Sequence, residues 1–206
     1  MRRLTDRPFR ELLAEFASTA PTPGGGSAAA LTATVAFALL TMVARMPRTR
    51  AGTDGERATL NRVAEDVQRL GEHAVQLVDD DAASYENVVA AYRLPKGTDE
   101  EKATRRDAIE AALRGAAEVP LDVMRACQAG LVDAIEVAKG GNPATGSDVA
   151  VAIELLMAAM RSAALNVRVN LKSIREIGYV DGVRAEVERL EASATELANE
   201  AGAALT

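Results

Sequence analysis

Residues 20–37 read APTPGGGSAAALTATVAF and join three consecutive glycines to a run of small apolar residues. A flexible linker is followed by polar sequence, whereas this loop is followed by residues typical of a protein core. Ser27 is a candidate N-cap, and a helix start leaves backbone N–H groups that a ligand can approach closely over glycine. The stretch therefore predicts a buried helix with a ligand-binding loop at its beginning.

The composition predicts a folded, soluble protein with one domain over residues 1–206. Apolar residues make up 48% of the chain and charged residues 26%, and the net charge of −6 argues against nucleic acid as a partner. With one cysteine, Cys127, and one histidine, His73, we expect no disulfide, no thiolate zinc site and no multi-histidine metal centre. The uncharged residues 28–44 are short for a membrane span, and no apolar segment follows the N-terminal arginines, so we expect a cytoplasmic protein and no membrane contact.

Helical patterns cover almost the whole chain, since alanine is abundant and no two alternating segments are joined by a tight turn. They predict an all-α, up-and-down domain with helices at about residues 6–18, 27–46, 55–92, 98–117, 120–139, 148–177 and 180–202. Thr98 and Glu101 form a capping-box pattern, and Ser147 is a candidate N-cap. Pro120 indicates either a kink or the first turn of a new helix. The alternating segment NVRVNL, residues 166–171, is assigned to helix because of its flanks.

Two of the predicted helices, at residues 27–46 and 148–171, carry few charges on any face. A helix that is apolar all round must be covered on all sides, and a chain of this size has few elements to cover two of them. We therefore expect a homodimer in which the second subunit supplies part of the cover.

The predicted helix 55–92 has an apolar stripe that a carboxylate interrupts. Val67, Ala74 and Leu77 belong to the stripe, Asp81 follows them, and Tyr85 lies one turn beyond. A carboxylate that faces the core loses hydration, which raises its pKa and suits it to proton transfer near neutral pH. The alternative is a solvated charge run at residues 79–81, of which one member faces inward by chance. Periodicity alone leaves both interpretations open.

Polar side chains near the second glycine-rich loop and on the helix after it are further candidates. Asn166 and Asn170 lie one turn apart on an apolar helix, where their amides are suited to the edge of a heterocycle. The alternative is that the two amides bridge neighbouring helices and have only a structural role. Asn142 and Asp148 lie in and just after the loop GGNPATGS, where turn and capping roles compete with ligand binding.

Five stretches together resemble the cyclodeaminase/cyclohydrolase family of folate enzymes. They are PTPGGGSAAAL at residues 21–31, LVDDDAASYENVVAAYRLPKGTDEEKATRRDAI at 77–109, AAEVPLDV at 116–123, GGNPATGSDVAVAIELL at 140–156 and ALNVRVNL at 164–171. The resemblance implies an all-helical dimer with a folate crevice at the subunit interface and a catalytic aspartate at Asp81. It also implies that the loop after Pro23, with Gly24, Gly25, Gly26 and Ser27, binds substrate together with the polar residues Asn142, Asp148, Asn166 and Asn170. Tyr85 is added as the candidate to pack against the pterin, because the chain has only three Phe, three Tyr and no Trp.

The expected reaction is hydrolysis of 5,10-methenyltetrahydrofolate to 10-formyltetrahydrofolate, a step of one-carbon metabolism. Ammonia-releasing formiminotetrahydrofolate cyclodeamination is the alternative activity, and a folate-binding dimer without catalysis is the alternative from another class. Hydrolysis is favoured because no formiminotransferase domain is fused to this chain. No metal and no permanently bound cofactor are expected, because the substrate carbon is already cationic.

One departure from the resemblance concerns the glutamate tail of folate. Many members carry a GKKKY-like basic segment after the second helix, where this chain has RMPRTRAGTDG at residues 45–55. Arg45, Arg48 and Arg50 are the candidates there to bind the tail.

Overall fold

A computed structural model describes residues 3–205, which form six α-helices and two short 3-10 helices without any β-strand. The α-helices are α1 Phe9–Phe16, α2 Gly25–Ala44, α3 Asp54–Tyr92, α4 Asp99–Gly140, α5 Gly146–Leu171 and α6 Ile177–Ala203, and the 3-10 helices are Leu4–Asp6 and Pro143–Thr145. The all-α prediction is confirmed, including the helical assignment of residues 166–171. Residues 1, 2 and 206 of the predicted domain lie outside the described part.

Helix α2 is the central element and packs against α3, α4 and α5. Its alanines, such as Ala33 and Ala36, are fully buried, and their small side chains let three neighbours approach closely. Phe37 fills the space between α2 and α4, where a Cβ on Gly130 would lie 2.4 Å from the Phe37 ring. By length and composition α2 is also able to cross a membrane, but half of its most apolar window is buried inside the protein. It packs as the core helix that the sequence predicts.

Capping boxes begin the two long helices. The Thr98 hydroxyl accepts the N–H of Glu101 at 3.1 Å, and the Glu101 carboxylate accepts the N–H of Thr98 at 3.1 Å, as predicted. Thr53 and Glu56 form the same reciprocal pair at the start of α3. Each pair supplies partners for N–H groups that a helix start leaves unbonded.

Three predicted boundaries are wrong, and one of them is the end of α5, which was expected at residue 177 and lies at Leu171. The helices expected at residues 98–117 and 120–139 are one continuous helix, α4, with Pro120 in its interior. Ser147 does not cap α5, because the helix begins at Gly146 after an N-cap, Thr145, that makes no side-chain bond. The loop before α5 is instead held by Asn142, whose amide oxygen accepts the N–H of Ala144 at 3.0 Å.

The bundle has two distinguishable ends because α2 and α5 run antiparallel. The start of α2 lies beside the end of α5, where a Cβ on Gly25 would be 3.3 Å from Asn166. The end of α2 lies beside the α4–α5 loop, where a Cβ on Gly141 would be 3.2 Å from Val43. We call these the Gly26 end and the Asn142 end of the bundle.

Both central helices keep an apolar face that this chain does not cover. On α2, Val35 is 48% exposed and Met42 is 41% exposed. On α5, Leu165 is 63% exposed and Val169 is 60% exposed. The two helices expected to be buried all round are therefore buried by their own chain on part of their surface only.

Candidate functional site

The three consecutive aspartates of α3 each have a different partner. Asp79 accepts the backbone N–H of Leu4 at 2.6 Å and holds the N-terminal segment against α3. Asp80 accepts a side-chain bond from Gln76 at 2.7 Å, one turn earlier on the same helix. Asp81 points to the start of α2 and bonds to Ser27. The inward member of the charge run is thus Asp81, the residue that the apolar stripe indicated.

The Asp81 carboxylate acts as the N-terminal cap of α2. Its Oδ2 accepts the backbone N–H of Ser27 at 2.8 Å and the Ser27 hydroxyl at 2.8 Å. Ser27 is the third residue of α2 rather than its N-cap. The N-cap position is occupied by Gly24, which has no side chain to accept a hydrogen bond. The prediction that Ser27 caps its own helix is wrong, because a carboxylate on another helix supplies the acceptor.

Gly26 lets this carboxylate approach the helix start. A Cβ at position 26 would lie 2.0 Å from Oδ1 and 2.6 Å from Cγ of Asp81, far inside any allowed contact. A carboxylate with this approach lies close to the positive end of the α2 dipole, which favours its ionised form. The third glycine of the loop is therefore required by the contact with α3.

Two opposing influences set the protonation of Asp81. Burial raises its pKa above the ordinary value, and the hydrogen bonds from the Ser27 side chain and backbone lower it in part. The Ser27 hydroxyl also lies 3.0 Å from the carbonyl oxygen of Val78. Since a hydroxyl has one proton, it donates to ionised Asp81 or, when Asp81 is protonated and donates to it, to Val78. Both protonation states of Asp81 therefore keep a hydrogen-bonded partner.

Two amides on α5 form the opposite wall. Asn166 donates through Nδ2 to the carbonyl of Ser162 at 2.9 Å, and Asn170 donates through Nδ2 to the carbonyl of Ala116 at 2.6 Å. Ala116 lies four residues before Pro120, which has no N–H to give it. Asn170 thus supplies the donor that a continuous α4 lacks, and both amides keep their acceptor oxygens for other contacts.

These residues line a cleft of about 330 Å³ at the Gly26 end of the bundle. Its walls also include Tyr85, which is 44% exposed, and the apolar side chains of Val88 and Leu113. No lysine, arginine or histidine is among the residues that line it. A larger groove of about 650 Å³ between α5 and α6 is mostly apolar, and its lining includes a basic side chain, Arg161. We place the chemistry in the smaller cleft, where a carboxylate and two amides meet without a cation.

Most, but not all, of the predicted site residues meet in this cleft. Gly24, Gly25, Gly26, Asp81, Tyr85, Asn166 and Asn170 all line it. Pro23 and Ser27 are buried next to it, and Ser27 contacts Asp81 rather than open space. The structure gives these residues positions, and their contacts with substrate stay predictions.

Asn142 and Asp148 lie away from the cleft within one chain. Asp148 precedes Asn166 by a rise along α5 of about 27 Å, at 1.5 Å per residue. Arg45 and Arg50 also lie at the Asn142 end, where Arg50 donates to the backbone of Ala138 and Arg45 bonds to Gln68. Within one chain, none of these residues lines the cleft that contains Asp81.

Several lining residues were missed by the sequence analysis. Pro21 and Thr22 precede the glycine loop, Ser84 follows Asp81 by one turn, and Leu113 and Ala116 come from α4. Proximity in sequence could have found the first three. For the α4 residues the only signal was Pro120. Proline has no N–H, so in a continuous helix the carbonyl four residues earlier, that of Ala116, needs a hydrogen-bond donor from another element.

The one cysteine of the chain lies in the hydrophobic core. Cys127 is fully buried, and burial raises the pKa of its thiol to about 12. In residues 3–205, no group of three or more histidine, cysteine, aspartate or glutamate side chains is arranged to hold a metal ion.

This chain is similar to known proteins over most of its length. Residues 8–189 match the family model described as formiminotransferase-cyclodeaminase. The chain is 39% identical over 180 residues to a methenyltetrahydrofolate cyclohydrolase of Methylorubrum extorquens, covering 87% of this chain and 86% of that protein. It is 35% identical over 188 residues to the formimidoyltransferase-cyclodeaminase of Sus scrofa, covering 91% of this chain but 35% of that longer protein.

A solved structure has the same architecture. The crystal structure of a formiminotetrahydrofolate cyclodeaminase from Thermotoga maritima superposes with a TM-score of 0.86 at 26% sequence identity, covering 97% of this chain and 96% of the other. The similarity therefore extends over the whole helical domain.

Proposed function

Since the chain belongs to the formiminotransferase-cyclodeaminase family, we propose that it is a folate enzyme that hydrolyses 5,10-methenyltetrahydrofolate to 10-formyltetrahydrofolate. The relative with 39% identity that carries this activity in its name matches along 86% of its own length. The observation that carries the proposal is a half-buried carboxylate, Asp81, in a cleft whose lining contains no cation.

The electrostatics of the cleft fit a cationic substrate carbon. Its walls present the Asp81 carboxylate together with the acceptor oxygens of Asn166 and Asn170, whose Nδ2 groups are engaged by backbone carbonyls. 5,10-Methenyltetrahydrofolate carries a positive charge that is shared between N5, N10 and the carbon between them. A cation next to Asp81 favours the ionised carboxylate and lowers the pKa that burial raises, so substrate binding itself generates the base.

We propose that Asp81 moves the proton in both halves of the reaction. It removes a proton from water as the oxygen attacks the cationic carbon, and it gives that proton to N5 as the bond from carbon to N5 breaks. The new hydroxyl loses its proton to solvent and becomes the formyl carbonyl, so that one proton is released per turnover. Ser27 accommodates both states of Asp81 by alternating between donor and acceptor. No metal or resident cofactor is needed, because the carbon is already an electrophile.

Formiminotetrahydrofolate cyclodeamination is the second candidate. The Thermotoga maritima protein, whose fold matches along 97% of this chain, bears that activity in its title. In this reaction N10 attacks the formimino carbon and ammonia leaves, with Asp81 as the proton donor. The same cleft suits both reactions, because both form or open one ring through a cationic carbon. Higher identity to the cyclohydrolase over nearly its full length favours hydrolysis.

We further propose a cytoplasmic homodimer in which the partner completes the cleft. The uncovered apolar faces of α2 and α5 supply the contact surface. A two-fold axis perpendicular to α2 would place the partner's Asn142 end beside the Gly26 end of the first chain. Such an arrangement would explain why Asn142 and Asp148, predicted to bind substrate, lie away from Asp81 within one chain.

The decisive assay is the loss of absorbance of 5,10-methenyltetrahydrofolate with purified protein, compared with the spontaneous rate in the same buffer. We expect clear acceleration that Asp81→Asn lowers by at least about 100-fold, the size of a general acid–base contribution. The amide keeps an acceptor oxygen for Ser27, so the thermal unfolding temperature should not fall. Asp80→Asn is the matched control and should keep the wild-type rate, because Asp80 bonds to Gln76 on its own helix.

The outcomes separate the candidates. Ammonia release from formiminotetrahydrofolate without hydrolysis would establish the cyclodeaminase instead. Binding without turnover of either compound would establish the non-catalytic folate-binding dimer. Equal rates for Asp81→Asn and Asp80→Asn would remove Asp81 from the mechanism.

A further inference from the structure

A second cleft adjoins the Asp81 cleft and has the opposite electrostatic character. It has a volume of about 310 Å³ and is lined by Tyr92, Lys102, Arg105, Arg106, Ile109, Glu110, Leu113, Ser173 and Arg175. Leu113 is part of both walls, so the two clefts are neighbours along α4. We call the second one the basic cleft.

The charge of the basic cleft is not balanced by its own acidic residue. Four cationic side chains line it against one carboxylate, Glu110, in a chain whose net charge is −6. That carboxylate already accepts the backbone N–H groups of Arg175 and Glu176, at 3.0 and 3.2 Å, and so fixes the start of α6. Asp99 and Asp107, which pair with Lys102 and Arg106, do not line the cleft, so cations outnumber carboxylates in its lining, next to a cleft that has no cation in its own lining.

The cations differ in how firmly they are held. Arg105 donates to the carbonyl of Tyr92 through Nε at 3.2 Å and Nη2 at 3.0 Å, so its guanidinium is fixed at the end of α3. Lys102 and Arg106 bond only to the strongly exposed Asp99 and Asp107 near them in sequence. Such solvent-exposed pairs are worth no more than about 1 kcal/mol, so an incoming carboxylate can replace them.

From this juxtaposition we propose that the basic cleft binds the γ-linked glutamate tail of the folate substrate. The inference rests on the proposed function, since it requires a ligand with a cationic ring system and a polyanionic tail. Arg106 precedes Leu113 by seven residues, a rise of about 10 Å along α4, which is the order of the length of a p-aminobenzoyl group with its amide. Arg45, Arg48 and Arg50 are thereby not the tail contacts of the same chain.

Tail length is the variable that tests this proposal. Wild-type protein should have a lower KM for triglutamyl than for monoglutamyl 5,10-methenyltetrahydrofolate, and added salt should reduce the difference. The double variant Lys102→Gln/Arg106→Gln should raise the KM for the triglutamyl substrate by about three- to tenfold, as expected for two exposed charge contacts. The monoglutamyl KM should change by less than about twofold, and kcat should stay the same.

Matched variants make the result specific. Arg189→Gln on α6 removes an arginine as exposed as Arg106, 61% in each case, and should leave both KM values unchanged. No effect of tail length in the wild type, or equal effects of the double variant and Arg189→Gln, would overturn the proposal. So would a loss of tail dependence in Arg48→Gln, which would assign the tail to the 45–55 segment.

A binding measurement separates failure of this inference from failure of the proposed function. Titration calorimetry with p-aminobenzoyl-tri-γ-glutamate reports on the basic cleft without any turnover. Binding that Lys102→Gln/Arg106→Gln weakens supports the cleft even if no folate is hydrolysed. Absence of binding to the wild type refutes the cleft even if hydrolysis is fast.

Discussion

The substitution Gly26→Ala tests whether the contact between α2 and Asp81 organises the site. The added Cβ would lie 2.0 Å from Asp81 Oδ1, whereas ordinary contact begins at 3.4 Å. The two groups must therefore separate by about 1.4 Å. A shift of that size breaks the bonds from Ser27 to the carboxylate, which are both 2.8 Å long.

The expected loss of activity is larger than the loss of stability. Misplacement of a catalytic group by about 1 Å costs on the order of 100-fold in rate, so kcat should fall by about that factor or more. For stability, the broken bonds to a charged group cost a few kcal/mol at most, and replacing a helical glycine with alanine returns about 1 kcal/mol. We expect a net loss of about 1–3 kcal/mol in the free energy of unfolding.

The assay combines hydrolysis rates with urea unfolding followed by far-ultraviolet circular dichroism. Gly182→Ala on α6 is the control, since nothing lies within 4 Å of its added Cβ, and it should keep full activity. In an Asp81→Ala background the clash is gone, so Gly26→Ala should no longer destabilise the protein. Wild-type activity in Gly26→Ala, or the same destabilisation in both backgrounds, would refute the reasoning.

Two further substitutions address the partners of the cleft walls. Ser27→Ala removes a donor that lowers the pKa of Asp81, so this pKa should rise, and because the ionised form is the base, the acid limb of the pH–rate profile should move to higher pH. An acid limb at the same pH as in the wild type would contradict the stated effect of the Ser27 hydrogen bond on the pKa of Asp81. Asn170→Leu leaves the Ala116 carbonyl without a donor and should cost about 1–3 kcal/mol of unfolding free energy, measured with urea. Pro120→Ala restores a backbone N–H for that carbonyl, so an undiminished cost of Asn170→Leu in this background would contradict the explanation.

Features that depend on neighbours in sequence were predictable. The bounds of α3 were expected at 55–92 and are Asp54–Tyr92, and the Thr98–Glu101 capping box is present as expected. The apolar stripe of α3 indicated the inward direction of Asp81 as one of two open interpretations, the other being a solvated charge run, and the structure shows that Asp81 bonds to Ser27. Local hydrogen bonding and helical periodicity decide these features, and both are visible in a single sequence.

Features that depend on a partner far along the chain were not predictable. Ser27 was assigned as a cap of its own helix, but its N–H bonds to Asp81, 54 residues away. Pro120 was interpreted either as a kink or as the first turn of a new helix, but Asn170, also 54 residues from the carbonyl that it bonds, supplies the missing donor and the helix continues. Local rules assume that an unbonded group finds a partner nearby or in water, and both assumptions fail here.

Both of these non-local bonds involve residues that line one cleft, namely Asp81 in the first and Ala116 and Asn170 in the second, and this coincidence has a physical reason. A helix start without a local cap leaves an N–H group unbonded, and a proline inside a helix leaves a carbonyl unbonded. In each case a residue far along the chain must supply the partner. A chain without a use for these groups is more stable with a serine or threonine cap and no proline, because both alternatives bond locally. In this chain the two non-local bonds instead hold Asp81 and Asn170 in the cleft. Departures from local rules are expected where function requires a defined geometry, and here they single out the same cleft that the charges of its lining indicate.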